Sequence, residues 1–273
     1  MILVEEGPSS ILVEAKAIGR KGPNVQLISK ELNRLLTQIS DYVPILKLKA
    51  KEVTNTKHLP WVIKKMVDAS SLICADELTA LASVAGAIAD AIKERLLEKG
   101  YDFVFVNNGG DIALYSAYDN EITTGIFGLD GNCKARLKIQ GPFDIGIATS
   151  GFGGRSFTKG IADSVTVIAK NSSIADAAAT FIANQVNVDS HNVKRVFAGD
   201  VDASVDISND FITVEIGKLS ISEKLEALQR GAECAKKLKD KGYILGFILA
   251  IQGHILSCLP NETKFKLEVK DAN

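Results

Sequence analysis

The chain has little that could cross-link it or hold a soft metal. Its 4 cysteines, Cys74, Cys133, Cys234 and Cys258, are far apart in 273 residues, with no CxxC pair and no close histidine partner. That spacing excludes a zinc-finger pattern and a disulfide framework, and it suits a reducing compartment. An excess of charge is also missing: 32 Lys+Arg stand against 33 Asp+Glu, a net charge of -1, so no global field draws in nucleic acid or an anionic membrane. Nor is there a membrane-length apolar run. The longest, residues 243–258 (YILGFILAIQGHILSC), is shorter than a bilayer span, is broken by Gln252, Gly253 and His254, and reads as one or two core strands. The opening MILVEEGPSSILVEAKA has no basic segment ahead of an apolar one, so neither a secretory signal nor a lipoprotein anchor is expected, and a cytoplasmic location is. Linkers, low-complexity segments and convincing repeats are absent too, which makes one α+β domain over residues 1–273 the simplest division.

What the chain does hold is ample apolar content, 46%, enough for a sizeable core. SSILVEAKA predicts an opening strand. NVQLISKELNRLLTQISDYV predicts a helix, with Leu27, Ile28, Leu32, Leu35, Leu36 and Ile39 at helical spacing. A second helix is expected over residues 60–72, with Pro60 near its first turn, and a third over 77–98, ending at Gly100. The first half of the third is built of small residues, which lets backbone or a ligand come close; residues 81–89 are expected inside and the charged half, 93–99, outside. From Phe103 to Ala169 the pattern changes to the short runs FVFV, IALYS, ITTGIFGL, ARLKI, DIGIAT and SVTVIA, expected as strands of one sheet. Further helices are expected from about residues 172 and 221, with strands near RVFA and FITVEI between them.

Three polar clusters interrupt these elements. In NNGGD (residues 107–111), Gly109 and Gly110 can take φ > 0, while Asn107, Asn108 and Asp111 offer donors and acceptors. The segment serves equally as a tight hairpin or as a turn that holds a polar ligand. In ATSGFGGRS (148–156), Gly151 and its neighbouring glycines, the hydroxyls of Thr149, Ser150 and Ser156, and Arg155 have the composition of an anion cradle, without Walker A or GxGxxG spacing; a ligand-free loop would look the same. In SIADAAAT (173–180), Asp176 and Thr180 are one turn apart, so both oxygens could meet one hard cation such as Mg²⁺. Ser173 with Asp176 would also serve as a capping box with no metal.

The order of these segments resembles the ApbE superfamily, whose main members are FAD:protein FMN transferases, once called thiamine-biosynthesis lipoproteins. The likeness spans about Ala80 to Val186 and rests on VAGAIAD (84–90), NNGGDI (107–112), ATSG (148–151), VTV (165–167) and the Ala-Asp pair followed by Thr180. It implies an α+β, T-fold-like architecture with a mixed or antiparallel sheet packed against helices. It also implies a flavin nucleotide in a cleft lined by these segments. Asn108, Gly109, Gly110, Asp111, Thr149, Ser150, Gly151 and Ser156 would bind the cofactor, FAD or FMN, and Asp176 and Thr180 would hold Mg²⁺. In the family, FMN passes to a threonine of an acceptor protein. The chain departs from the pattern at two places. Ala85 stands where the family carries a lysine, and the loop after ATSG is short and lacks the family's His and Asp-Pro segment. Asp163 and Arg155 are then the candidates for catalytic roles. Partners implied are a nucleotide or flavin and an acceptor protein, with no nucleic acid and no membrane; a homo-oligomer stays open. Alternatives are a flavin carrier without transfer chemistry, or an enzyme acting on another small phosphorylated substrate in the same cleft.

Overall fold

A computed structural model describes residues 1–127, 133–260 and 263–269. Gly128 and Leu129, the end of the ITTGIFGL strand, and the Cys133 side chain lie outside the described set. In chain order the elements are β1 (Ile2–Glu6), β2 (Ser9–Lys16), α1 (Val25–Asp41), α2 (Val43–Leu46), α3 (Trp61–Cys74), α4 (Val84–Glu98), β3 (Phe103–Asn108), β4 (Asp111–Ser116), β5 (Glu121–Phe127), β6 (Cys133–Gln140), β7 (Phe143–Ser150), β8 (Ser164–Ala169), α5 (Ser172–Gln185), β9 (Val193–Phe197), α6 (Ala198–Val201), β10 (Phe211–Ile216), α7 (Ile221–Asp240), β11 (Gly246–Ile251), β12 (His254–Cys258) and β13 (Phe265–Val269). The fold is α+β with antiparallel pairing between the registered strands.

Contacts group the chain into two compact units. The first holds Met1–Asn120, Gly141–Ala148 and Ile168–Ala177; the second holds Glu121–Gln140, Thr149–Val167 and Ala178–Asn273. In the first unit the strands follow the order β1-β2-β3-β4-β7, and α1, α3 and α4 bury their apolar faces against them. Ile28, Leu32, Leu35 and Ile39 recur every three or four residues along α1 and meet Val62, Ile63 and Met66 of α3 and Ile88, Ile92 and Leu96 of α4 in one core with Val104, Val106 and Ala113. Asn24 starts α1 by accepting the Leu27 N–H at 2.8 Å. Pro60 precedes α3 at its N-cap, where its missing N–H costs nothing.

Two expectations need correction here. Lys93 is buried at 4% exposure rather than outward, because the α4 stripe of Ala89, Ile92 and Leu96 continues to its last turn and carries Lys93 inward to pair with Asp144. The runs ITTGIFGL and ARLKI also leave the main sheet. DIGIAT pairs directly with IALYS, Ile112 facing Ile147, so β5 and β6 form a separate three-stranded sheet with β13. In the second unit that sheet buries Ala135, Leu137 and Ile139 at alternate positions, and α7 covers β11 with Ala227, Leu228, Ala232 and Ala235.

Candidate functional site

In the first unit β3 and β4 join through a two-residue turn that sets Asn108 opposite Asp111. Gly109 and Gly110 have φ of 67° and 115°, which glycine alone adopts without strain, and the Gly110 N–H donates to Asn107 Oδ1 at 2.8 Å. The hairpin role is therefore filled. The same hairpin places Asn108 and Asp111 on one face, next in register to Val106 and Ala113, the residues that pack under the helices. Asn108 donates its side-chain N–H to Ala85 O at 3.2 Å, while its buried Oδ1 accepts no hydrogen bond among the described residues.

Ala85 and Gly86 open α4 beside the start of α5. Gly86 is there for space: a Cβ at this position would lie 2.4 Å from Ser172 O and 2.9 Å from Asp176 Cβ. Without it, the Gly86 N–H reaches Asp176 Oδ2 at 3.0 Å. Four residues along the same helix, fully buried Asp90 accepts from the backbone N–H groups of Ser172 (2.9 Å, Oδ1) and Ser173 (3.0 Å, Oδ2), with the Ser173 hydroxyl 2.9 Å from Oδ2. Asn171 Oδ1 takes the Ile174 N–H at 2.9 Å. The α5 start is thus capped by Asn171 and Asp90, not by a Ser173–Asp176 box, and the Asp176 carboxylate is left to face α4.

Burial is the larger cause that holds the Asp176 carboxyl well above the usual carboxylate range. The negative charge of Asp111 adds to it, Asp90 adds less, and the amides of Gly86 and Ala85 oppose it. A carboxyl raised by burial and by a second carboxylate, with the Asn108 amide oxygen near by, forms with that neighbour an all-oxygen donor set that a hard divalent cation would relieve. Mg²⁺ fits such a set, which it completes with water or substrate oxygens. Among the described residues no group of three or more His, Cys, Asp or Glu side chains could hold a metal by itself. Thr180 follows Asp176 by one turn of α5 and is half-buried.

In the second unit the glycine loop is bonded largely to its own chain. Gly151 has φ of 139°, and a Cβ there would come within 3.0 Å of the Ala162 and Asp163 carbonyl oxygens. The N–H groups of Phe152, Gly153 and Gly154 donate to Ala162 O, Asp163 O and Gly151 O, so three amides of the expected anion cradle are already engaged. Thr149 Oγ1 lies 2.9 Å from Thr166 Oγ1, and Arg155 and Ser156 are exposed. Asp163 Oδ2 accepts the N–H of Gln252 at 2.7 Å, bracing the turn between β11 and β12, where Gln252 has φ of 40°. Ser150 is half-buried at the end of β7.

Among the residues that build the first-unit cluster, Gly86 was read only as one of the small residues that let backbone come close, and Asp90 was assigned no role. A signal was present for one of them. Asp90 is an acid inside the apolar run AGAIADAI, where a charge is retained only if it has partners.

The family model described as AbpE bacteria matches residues 2–257. A UPF0280 protein of Methanothrix thermoacetophila is 32% identical over 191 residues, 67% of this chain and 78% of that relative. A UPF0280 protein of Methanothermobacter thermautotrophicus is 39% identical over 132 residues, 47% of this chain and 49% of that relative, so the match spans about half of its length. Among solved structures, the flavin transferase ApbE from Vibrio cholerae is similar with a TM-score of 0.51 at 13% identity, over 98% of this chain and 96% of that one. The apo form of the Pseudomonas stutzeri flavinyl transferase ApbE gives a TM-score of 0.52 at 13% identity, over 94% and 92%. At that identity the likeness is one of fold.

Proposed function

Since the chain belongs to the AbpE bacteria family, within the ApbE-like superfamily, we propose that it binds a flavin nucleotide with Mg²⁺ and transfers FMN from FAD to a hydroxyl of an acceptor protein. The observation that carries the proposal is the half-buried Asp176 carboxylate, raised by Asp111 and fixed by the Gly86 amide. The similar structures of the Vibrio cholerae flavin transferase and the Pseudomonas stutzeri flavinyl transferase support it at the level of fold. Asp176 and Asp111 would hold the cation, with Thr180 as a further oxygen. When bound, Mg²⁺ would supply neutralising charge on the pyrophosphate oxygens, the main requirement for phosphoryl and nucleotidyl transfer. The chain's own work is positional: the Gly86 and Ala85 amides hold the carboxylate in one orientation, and the Asn108 amide fixes Ala85 by its carbonyl. In the second unit, Thr149, Ser150, Arg155 and Ser156 are the proposed phosphate contacts. Asp163, whose carboxylate accepts the Gln252 N–H, is proposed as a base.

A second reading, flavin binding without transfer, is favoured by Ala85 in place of the family's lysine and by the engaged amides of Phe152, Gly153 and Gly154. Calorimetric titration of metal-stripped protein with FAD, with and without Mg²⁺, tests the binding step in wild type and Asp176→Ala. The expected result is FAD binding that tightens about tenfold or more with Mg²⁺, a coupling that disappears in the variant. Equal FAD affinity with and without Mg²⁺ overturns the cation dependence, and no FAD binding in either condition overturns both readings. Release of AMP from FAD in the presence of an acceptor then separates transfer from storage.

A further inference from the structure

We propose that Asp90 is a positioning residue: its carboxylate sets the first turn of α5 so that Asp176, one turn further on, meets the Gly86 amide. The role rests on the proposed use of Asp176, but the geometry can be tested apart from it. Two connections join α4 to α5, each one helical turn from the other. Asp90 receives the N–H groups of Ser172 and Ser173, and Gly86, four residues before Asp90, gives its N–H to Asp176, four residues after Ser172. Both ends of the pairing step by one turn, so a shift of α5 at its start is passed on to the carboxylate. Gly86 allows no slack, because its missing side chain is what lets Ser172 O approach.

Asp90 is held in its turn. It is fully buried, and Lys65 Nζ of α3 lies 3.4 Å from Oδ2 while also meeting Glu94 at 3.0 Å and standing over the Trp61 ring at 4.6 Å. Three donors and one ammonium therefore define where both carboxylate oxygens sit. An ordinary N-cap comes from the residue just before its helix; α5 has that cap already in Asn171. The second acceptor, brought from another helix, adds little that local capping requires. What it does fix is the register of α5 against α4, and Asp176 depends on that register.

The test compares Asp90→Asn, which keeps the size of the side chain but turns one acceptor into a donor facing an N–H, with Leu96→Ala, which removes buried apolar volume from the same helix away from this contact. Amide hydrogen exchange at Gly86 reads the Asp176 bond directly. Mg²⁺ titration reads its consequence. Asp90→Asn is expected to speed Gly86 exchange by at least tenfold and to weaken Mg²⁺ binding by at least tenfold, while Leu96→Ala, matched in its loss of melting temperature, leaves Mg²⁺ affinity within about twofold of wild type. Gly86 exchange in Asp90→Asn equal to that of wild type, or no faster than in Leu96→Ala, overturns the proposal. If wild type binds no Mg²⁺, the proposed function fails while the exchange comparison still decides the role of Asp90.

Discussion

Helix propensity alone says that Gly86→Ala should stabilise the protein by about 1 kcal/mol, since glycine inside a helix costs roughly that much relative to alanine. The structure reverses the sign. A Cβ on Gly86 would sit 2.4 Å from Ser172 O and 2.6 Å from Ser172 C, both backbone atoms of the neighbouring helix, and 2.9 Å from Asp176 Cβ. Backbone cannot rotate away as a side chain can, so α5 must move as a unit by several tenths of an ångström or more. Overpacking of a tight interface costs typically ~1–3 kcal/mol. The shift also lengthens the Gly86 N–H bond to the Asp176 carboxylate, and a hydrogen bond to a charged group is worth ~1.5–3 kcal/mol. Subtracting the propensity gain leaves a net loss of roughly 1.5–5 kcal/mol, or about 3–9 °C in melting temperature for a chain of this size. Urea unfolding followed by circular dichroism measures the first figure and calorimetry the second. A variant as stable as wild type would show that the two helices do not approach as closely as the distances state, and the account of the cluster would fall with it. Gly231→Ala in α7 is a useful contrast, because the atom it meets first, Val186 Cγ2 at 2.3 Å, belongs to a side chain and can yield in part.

Glu223, at the start of α7, accepts from the Ser190 hydroxyl and from the Ser220 hydroxyl and N–H, and these bonds lower its carboxyl from the ordinary 4.5 to about 2. Its contribution is therefore complete above pH 4.5 and is lost as pH falls toward about 2, so acid titration of stability in wild type should fall more steeply across that window than in Glu223→Gln; parallel curves refute the bonding. Gln252→Gly removes the positive-φ strain, worth ~1–2 kcal/mol, but also the side-chain bonds to Leu219 N–H (3.0 Å) and Gly217 O (2.7 Å). The lost bonds leave two backbone groups to find water, so the expected outcome is net destabilisation by about 1 kcal/mol, and a rise in melting temperature would contradict it.

The main helices were legible because their signals are local. The apolar stripe of α1 and Pro60 ahead of α3 each lie within one or two turns of sequence. The hairpin at Gly109 and Gly110 was legible for the same reason. The site was legible only as a collection of segments. That Asp176 faces Gly86 and not Ser173 follows from the approach of two helices, which no periodicity encodes. Lys93 misled because a lysine usually marks a solvent face, and its partner Asp144 lies on a strand 51 residues away. The excursion of β5 and β6 was hidden as well: alternating apolar runs announce a strand but not the sheet it joins.

Ser172 draws its hydrogen-bond acceptor from 82 positions earlier in the chain. A ribosome therefore delivers the acceptor first. At about 5–20 residues per second, roughly 4–16 s separate the emergence of Asp90 from that of the amides it will hold. For that interval α4 carries a carboxylate meant for the interior, with Lys65 of α3 to answer it. The helix can close over its core for good only when the α5 start arrives, so the order of synthesis makes the later segment the one that seals the earlier.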